Sequence, residues 1–392
     1  MKDFPNSGWA EKPLGEVVTV TKTKGGGRPL PYVGLEDISS DGTGEFTGSL
    51  EPQGDKSTTF EFGPRHLLYG RLRPYLNKVY RPDFEGHCSS EIFPMLPDER
   101  LDRGYLFHWI TSDQVVEKIN ATSTGARMPR ANVKEILEFP IPVPPLEEQQ
   151  RIVAVLDEAF EGLARARAHA ETNLQNARDL FTACLRSLFS DNREDWPLRN
   201  ISDVCIEFGR GKSRHRPRND PRLFGGDMPF VQTGDLSKAD HFLRDFTQTY
   251  SVEGIAQSRV WPKGTVCVAI VGATIGESAI LEFDACFPDS VIGMVPDPEE
   301  ADSEFLDFLL QFVKADLKEA GKGSARDNIN LGTFSDRLFP IPELKAQRAA
   351  IEKISEIDRE SRRLSTIYTT NLADIDDLRQ SLLQKAFAGE LT

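Results

Sequence analysis

A long stretch of helical spacing in the middle of the chain carries the clearest pattern in the sequence. It follows the proline-rich segment Phe139–Pro142, begins at Leu146 and reaches Phe189 without a proline. Apolar or small side chains recur there in steps of four and three, with one asparagine among them, at Ile152, Leu156, Ala159, Leu163, Ala166, Ala170, Asn173, Ala177, Leu180 and Cys184. This spacing predicts one stripe of a coiled-coil helix, which would be roughly 65 Å long.

The helical spacing returns 198 residues later. A second Phe-Pro-Ile-Pro segment starts at Phe339, a second long helix is predicted from Leu344, and Asn371 stands 198 positions after Asn173. Because the stripe and its polar interruption both recur, the sequence predicts a tandem duplication. The predicted seam is formed by Leu156, Leu163, Asn173, Leu180, Ile354, Leu364, Asn371 and Leu378.

Two helices with matching stripes in one chain are expected to pack on each other, in antiparallel orientation. A buried asparagine pair or mismatch would then fix their register at some cost in stability. The alternative is that each helix packs only on its own globular domain.

The segments that precede the long helices predict two globular domains built on one plan. Short extended runs such as Leu67–Tyr69 and Ile92–Leu96 recur as Val266–Val271 and Val291–Val295, and a helix predicted over 105–119 recurs over 305–317. The predicted fold class is α+β, with two mixed α/β domains separated by two long helices in a pseudo-two-fold tandem repeat. The predicted boundaries are 1–144 for the first domain, 145–190 for the first helix, 191–342 for the second domain and 343–392 for the second helix.

Composition describes a soluble protein of 392 residues with a formal net charge of −14. No apolar run approaches the ~20 residues of a membrane span, and the N-terminus lacks the apolar core of a signal peptide. The five cysteines form no Cys-x-x-Cys pattern and the six histidines form no metal-binding spacing, so we expect reduced thiols in a cytoplasmic protein and no metal site. The acidic balance counts against nucleic-acid binding unless basic residues cluster locally.

Two basic segments lie inside the predicted domains. One runs from Arg65 to Arg81 with tyrosines interleaved, and the other runs from Arg210 to Arg222. Arginine can donate two parallel hydrogen bonds to phosphate oxygens or to guanine O6 and N7. These two segments, together with a smaller group of basic residues before each long helix, therefore indicate DNA binding. The candidate DNA-binding residues are Arg71, Arg73, Lys78, Arg127, Arg210, Lys212, Arg214, Arg216 and Arg326. The alternative is that these loops are solvated and paired with the surplus carboxylates.

No catalytic group emerges from the sequence. Gly211-Lys212-Ser213 looks like the end of a phosphate-binding loop, but Ile206 stands where that loop requires its first glycine. No metal-dependent or nucleophilic spacing of histidine, cysteine or acidic residues was found, so we expect a chain without catalytic residues.

The chain resembles the specificity subunits of Type I restriction–modification systems. The resemblance rests on the order domain, helix, domain, helix and on the junctions Phe139–Gln149 and Phe339–Gln347, each a Phe-Pro-Ile-Pro segment followed by Leu-x-x-Gln. It rests also on the C-terminal run Leu382-Leu383-Gln384-Lys385-Ala386-Phe387-Ala388-Gly389-Glu390-Leu391, which the first helix repeats only in part.

The resemblance implies a non-catalytic subunit that binds double-stranded DNA. Each domain would be a target recognition domain for one half of a bipartite site, and the helices would form an antiparallel coiled coil that sets the spacing. Two methyltransferase subunits and restriction subunits would be its partners, and S-adenosylmethionine, ATP and Mg²⁺ would be bound by those partners in a prokaryotic cytoplasm. Two other functions stay open at the level of sequence: a coiled-coil scaffold that binds only protein, and the recognition part of a combined nuclease or methyltransferase.

Overall fold

A computed structural model of the chain describes residues 9–24, 28–53, 59–125, 127–191, 195–322 and 328–391. The chain forms two compact units. Unit 1 comprises Met1–Glu171 with Thr369–Thr392, and unit 2 comprises Thr172–Tyr368. Each unit therefore combines a globular domain with parts of both long helices. The predicted domain boundaries remain a prediction.

The globular part of unit 1, called domain 1, contains two four-stranded sheets, with strand orders β2-β9-β6-β7 and β4-β3-β8-β5, and a strand pair β1-β10. The strands are β1 (Glu11–Pro13), β2 (Val18–Val20), β3 (Leu30–Val33), β4 (Pro52–Gln53), β5 (Thr59–Phe62), β6 (Leu67–Gly70), β7 (Val79–Tyr80), β8 (Gly86–Ser89), β9 (Ile92–Pro97) and β10 (Pro140–Pro142). The helices of this half of the chain are α1 (Arg103–Thr111), α2 (Asp113–Ala121), α3 (Val133–Leu137) and the long α4 (Leu146–Asp191).

The globular part of unit 2, called domain 2, repeats this plan with a five-stranded sheet of order β12-β20-β17-β18-β14, a four-stranded sheet of order β15-β13-β19-β16 and a strand pair β11-β21. The strands are β11 (Leu198–Asn200), β12 (Cys205–Arg210), β13 (Phe224–Phe230), β14 (Phe242–Leu243), β15 (Gln248–Tyr250), β16 (Val260–Trp261), β17 (Val266–Ala269), β18 (Ser278–Leu281), β19 (Ala285–Cys286), β20 (Val291–Pro296) and β21 (Leu338–Pro340). The helices are α5 (Thr233–Leu236), α6 (Val252–Ala256), α7 (Ser303–Lys322), α8 (Leu331–Ser335) and the long α9 (Leu344–Phe387).

One predicted helix differs from the structure. The sequence predicts a single helix over 105–119, but the chain breaks there into α1 and α2 because Ser112 has an extended backbone, with φ −69° and ψ 141°. Its hydroxyl donates to the carbonyl oxygen of Trp109 at 2.7 Å, which caps the last turn of α1. The matching helix of domain 2, α7, runs unbroken for 20 residues.

The two long helices, of 46 and 44 residues, pair in antiparallel orientation, as predicted. In unit 1 the first half of α4 meets the last part of α9, where Arg167 forms an ion pair with Asp376. In unit 2 the last part of α4 meets the first half of α9, where the Ser361 hydroxyl donates to the carbonyl oxygen of Ala177 at 2.6 Å. Among the described residues, no helix is long and apolar enough to cross a membrane.

The predicted seam is wrong at part of its positions. Leu156 and Ile354 are fully buried and Leu163, Asn173 and Leu364 are half-buried, whereas Leu180 is 37% exposed, Leu378 is 49% exposed and Asn371 is exposed. The expected buried asparagine pair is therefore absent from the described structure. On a helix, the residues three and four positions after a given residue both lie on its side. Phe160 and Phe181 lie four positions after the buried Leu156 and Ala177. Their larger side chains pack against the domain cores in place of Ala159 and Leu180.

The repeated Leu-x-x-Gln motif fastens the start of each long helix to its domain. The fully buried Gln149 accepts from the backbone N–H of Asp102 at 2.7 Å and donates to the carbonyl oxygens of Arg100 and Pro144 at 2.8 and 2.9 Å. Gln347 makes the same three bonds in unit 2, with Asp302, Glu300 and Pro342. One amide side chain thus satisfies three backbone groups that burial would otherwise leave unpaired.

The ends of the long helices complete the domain cores. In unit 1, Leu383, Ala386 and Phe387 at the end of α9 are fully buried, and the Phe387 ring meets the Tyr105 ring edge-on with centroids 5.1 Å apart. In unit 2 the matching residues at the end of α4 enter the core of domain 2, where the Phe189 and Phe305 rings lie 5.6 Å apart. Each domain core is therefore closed by the helix that follows the other domain in the sequence.

Each domain contains a histidine that contacts a carboxylate. In domain 1 the carboxylate lies on the long helix α4, and in domain 2 it lies in the domain core. His108 Nε2 donates to Asp157 of α4 at 2.9 Å, and Arg81 binds the same carboxylate. Burial lowers the pKa of His108, which is therefore neutral at pH 7. Burial alone would raise the pKa of Asp157, but the hydrogen bond from His108 and the charge and hydrogen bonds of Arg81 bring it down to about 2. In unit 2, His241 Nδ1 lies 2.6 Å from the fully buried Asp307.

We predict that Gln149→Ala destabilises the chain by about 2–5 kcal/mol, because it leaves three buried backbone groups without partners. The neighbouring Gln150 is exposed, so Gln150→Ala is the matched control and is expected to change stability by less than about 0.5 kcal/mol. Denaturant unfolding followed by circular dichroism measures both. Equal stabilities for the two variants would contradict the role of the Leu-x-x-Gln motif.

Candidate nucleic-acid interface

Three segments of domain 1 meet at one edge of the β2-β9-β6-β7 sheet. They are the arginine loop (71–78) after β6, the acidic turn (89–91) between β8 and β9, and the return loop (122–131) before α3. The backbone N–H of Arg71 donates to the carbonyl oxygen of Glu91 at 2.9 Å, and that of Ala131 donates to the carbonyl oxygen of Arg71 at 2.9 Å. The N–H of Arg73 donates to the carbonyl oxygen of Pro129 at 2.7 Å. These backbone bonds hold the three segments side by side.

This edge gathers three of the predicted DNA-binding residues of domain 1. Arg73 is exposed on the arginine loop, and Arg127 is exposed on the return loop between the paired residues Thr124 and Arg130. Arg71 is partly exposed and lies against the Phe93 ring, with its guanidinium 5.4 Å from the ring centroid. Among the described residues, no ion pair engages the charged heads of Arg73 or Arg127. They are available to an anionic ligand.

Lys78, the fourth candidate residue of domain 1, forms hydrogen bonds within the fold. Its ammonium group donates to the carbonyl oxygens of Leu35 and Ile38 at 2.6 and 2.7 Å, inside domain 1. A lysine that bridges two backbone carbonyls of its own fold stabilises the loop carrying Leu35 and Ile38. Periodicity and charge give no signal of this contact, because the partners are backbone atoms some forty residues distant in sequence.

Domain 2 forms the corresponding edge from equivalent segments. The N–H of Ile270, after β17, donates to the carbonyl oxygen of Ser290 at 3.0 Å, and the N–H of Ile329 donates to the carbonyl oxygen of Ile270 at 3.0 Å. A basic loop (210–222) joins them here, because the N–H groups of Gly211 and Lys212 donate to the carbonyl oxygens of Val291 and Phe287. The edge that carries the candidate residues of domain 1 thus recurs in domain 2 with a different loop.

The predicted residues of domain 2 fall into two groups on this basic loop. Lys212 and Arg214 are exposed, and no ion pair engages their charged heads among the described residues. Arg210 donates to the carbonyl oxygen of Ile329 at 3.4 Å, and Arg216 donates to the carbonyl oxygens of Ser213 and His215 at 2.7 and 2.8 Å. These two arginines brace the loop while remaining largely exposed. Arg326 lies outside the described residues.

Two acidic residues of these edges escaped the sequence analysis. Glu91 in the acidic turn binds Arg71 and Arg130, and Asp289, in the matching turn of domain 2, binds Arg218 through both oxygens at 2.8 Å. Asp289 lies one position before Ser290, the structural counterpart of Glu91, so the only signal in the sequence was an acidic residue near each turn. In a chain with 61 acidic residues it could not be separated from background without the contacts.

The described residues offer no group of three or more histidine, cysteine and acidic side chains arranged to hold a metal ion. The two edges instead present arginine and lysine at the surface of a chain whose net charge is −14. Local positive charge with planar hydrogen-bond donors is what recognition of a nucleic acid requires.

Comparison with known protein families assigns the chain. The family model described as "Type I restriction modification DNA specificity domain" matches residues 74–168 and 193–368, which is more than half of the sequence. The chain belongs to this family. The resemblance drawn from the junction and C-terminal motifs is thereby confirmed, and a protein-only scaffold is not favoured.

Curated relatives within the family are specificity subunits. The EcoDI specificity subunit of Escherichia coli is 31% identical over 120 residues, which cover 30% of this chain and 27% of that protein. The EcoBI specificity subunit, also of Escherichia coli, is 21% identical over 401 residues, which cover 93% of this chain and 80% of that protein. The chain thus aligns with about a quarter of the first relative and with most of the second.

Solved structures support the fold. A chain from a study of complex assembly and conformational transition of the Type I restriction–modification system superposes with a TM-score of 0.84, full coverage of both chains and 21% identity. The HsdS subunit from Thermoanaerobacter tengcongensis superposes with a TM-score of 0.65, 21% identity and coverage of 98% of this chain and 97% of that one. The predicted fold class is therefore confirmed.

We predict that Lys78→Met destabilises domain 1 by about 1–3 kcal/mol, because two backbone carbonyls lose their donor while the apolar stem is kept. Arg73→Met is the comparison, since Arg73 is exposed and makes no such bonds, and its effect is expected to stay within about 0.5 kcal/mol. Thermal unfolding measures both. A Lys78→Met variant of unchanged stability but weakened DNA binding would return Lys78 to the DNA-contacting set.

Proposed function

We propose that the chain is the DNA-reading subunit of a Type I restriction–modification complex, with each domain recognising one half of a bipartite site. The observation that supports this most directly is the recurrence of one basic edge in both domains of a specificity-family member. The loops at that edge differ between the domains: domain 2 adds the basic loop (210–222), and Gly272 stands in domain 2 where Arg73 stands in domain 1. Two unlike readers on one scaffold suit two unlike half-sites.

The side chains proposed to contact DNA are those exposed on the two edges. Arg73 and Arg127 in domain 1 and Lys212 and Arg214 in domain 2 have free charged heads for phosphate oxygens or base edges. Arg71, Arg210 and Arg216 are held by contacts within the fold and would present their remaining N–H groups. Arg326 stays a candidate from sequence.

The partners proposed are the methyltransferase and restriction subunits of such a complex. Relatives in the family are named as specificity subunits of restriction enzymes, and one similar chain comes from a study of complex assembly in a Type I system. The chemistry would then belong to the partners, with S-adenosylmethionine on the methyltransferase subunits and ATP and Mg²⁺ on the restriction subunits. The chain itself would be non-catalytic and would bind DNA in a prokaryotic cytoplasm.

The paired helices are proposed to set the number of base pairs between the half-sites. Each of them contributes residues to both units, and a helix of 46 residues is about 70 Å long. Two readers connected by a stiff element act on one DNA molecule at high effective concentration, so two modest half-site affinities combine into tight binding.

We predict that cells producing the chain with its cognate methyltransferase subunit carry methylated adenine in one new two-part motif. Inserting seven residues beside Ala177 in α4 and seven beside Ser361 in α9 keeps these paired segments matched and lengthens the helices by about 10 Å, or about three base pairs. Methylome sequencing is expected to show the same half-sites with a longer gap. A changed half-site sequence with an unchanged gap would contradict the spacing role, and no two-part motif at all would refute the proposed function.

We predict that Arg73→Gln and Lys212→Gln each weaken DNA binding by the assembled complex and lower the slope of log affinity against log salt by about 0.9, the effect of one lost phosphate contact. Arg363→Gln on α9 is the control, because Arg363 is exposed and pairs with Glu360 on the same helix. Fluorescence anisotropy at several salt concentrations measures all three. If the control lowers the slope as much as the two edge variants, the assignment of the edges as the DNA surface fails.

A further inference from the structure

The acidic turn of each domain holds arginines that come from other segments of the same edge. In domain 1, the Glu91 carboxylate accepts hydrogen bonds from Arg71 Nε at 2.9 Å and from Arg130 Nη2 at 3.0 Å. One carboxylate therefore connects the arginine loop to the return loop. The backbone N–H of Glu91 donates in turn to the Ser89 hydroxyl at 3.2 Å, which anchors the turn itself. The carboxylate is 24% exposed and its two arginines are 33% and 39% exposed.

Domain 2 repeats the arrangement with different chemistry around it. Asp289, one position before Ser290, the structural counterpart of Glu91, accepts two bonds of 2.8 Å from Arg218 of the basic loop. A carboxylate therefore lies in this turn in both domains, at neighbouring positions, and the arginine that it holds comes from a different segment in each.

Stability does not account for these pairs. Ion pairs between half-exposed side chains contribute at most about 1 kcal/mol, since water and salt screen them and fixing two side chains costs entropy. Burial alone would raise the pKa of Glu91, yet the hydrogen bonds from Arg130 and Arg71 lower it below its ordinary value, so the carboxylate stays charged at neutral pH. What the pairs accomplish is orientation of the guanidinium groups.

A guanidinium that is oriented by a carboxylate is suited to reading bases. It has five N–H donors in a planar fork, and a carboxylate occupies two or three of them and leaves the others directed outward. Holding the side chain removes rotamer entropy that binding would otherwise cost. The nearby negative charge also weakens attraction to any phosphate, so the arginine gains affinity where a base offers matching acceptors.

We propose that Glu91 and Asp289 are positioning residues for sequence specificity, one in each recognition domain, which aim Arg71 with Arg130 and Arg218 at base edges. This inference rests on the proposed function, and it assigns to the two turns a role in discrimination between sequences. The carboxylates act through the arginines and do not themselves contact DNA.

The test uses the complex of the full chain with its methyltransferase subunit, and DNA duplexes that carry the motif found by methylome sequencing or the motif with one base pair changed in either half-site. Glu91→Gln is expected to lower the ratio of methylation rates, cognate over mismatched, by about tenfold at the half-site read by domain 1, the size of one bidentate base contact. The ratio at the other half-site stays unchanged. Asp289→Asn is expected to produce the mirror image.

Each variant carries its own folding control, because the second domain in the same complex must keep its discrimination. Glu148→Gln and Glu300→Gln are matched controls: Glu148 is 22% exposed and pairs with Arg151, and Glu300 is 44% exposed and pairs with Arg199, against 24% for Glu91 and 45% for Asp289. Both controls are expected to leave the two ratios unchanged. Binding to non-specific DNA is expected to tighten in Glu91→Gln and Asp289→Asn, since released arginines become available to phosphates.

A double-mutant cycle separates positioning from direct contact. If Glu91 acts through the arginines, Glu91→Gln has no further effect on discrimination in a chain that already carries Arg71→Gln and Arg130→Gln. A full effect in that background would mean that the carboxylate itself touches a base, and would overturn the proposal. Unchanged ratios in Glu91→Gln and Asp289→Asn, with a wild-type complex that still recognises a two-part motif, would also overturn it while leaving the proposed function standing.

Discussion

Reciprocal closure of the two domain cores is the constraint on which the rest of the structure depends. Phe387 at the end of α9 packs on Tyr105 in domain 1, and Phe189 at the end of α4 packs on Phe305 in domain 2. Burying a phenylalanine contributes on the order of 2–3 kcal/mol, and removing one from a packed core costs about 3–5 kcal/mol. Each long helix therefore starts as an extension of one domain and ends as part of the core of the other, which requires the two helices to run in opposite directions.

The duplication explains how much of this could be predicted from the sequence. The 198-residue offset revealed two domains of one plan, and the helical spacing revealed two long helices. The stripe was placed incorrectly at Leu180, because Phe181 offers a second apolar side chain at the next position and only packing decides between them. It was also placed incorrectly at Leu378, where the next residue is the charged Arg379. Ser112 breaks a predicted helix through its own hydroxyl, a local contact that apolar periodicity does not register.

The candidate site was harder to predict than the fold. Charge density grouped Lys78, whose partners are backbone carbonyls, with Arg73, whose charged head is exposed. It also ignored Glu91 and Asp289, because sequence reasoning sought positive charge at an interface for DNA. In the proposed role, a basic surface becomes selective when carboxylates fix the orientation of some of its arginines. Those carboxylates and arginines come from segments that only the folded chain brings together.

The core of domain 1 is completed by the end of α9, at Leu383, Ala386 and Phe387, and this affects the order in which the chain folds during synthesis. Domain 1 is synthesised before α9, so its core stays open until the end of that helix has been translated. The end of α4, which completes the core of domain 2, is synthesised before that domain. Domain 1 is thus synthesised first but completed second, and the apolar residues that α9 will cover stay exposed while domain 2 is being translated.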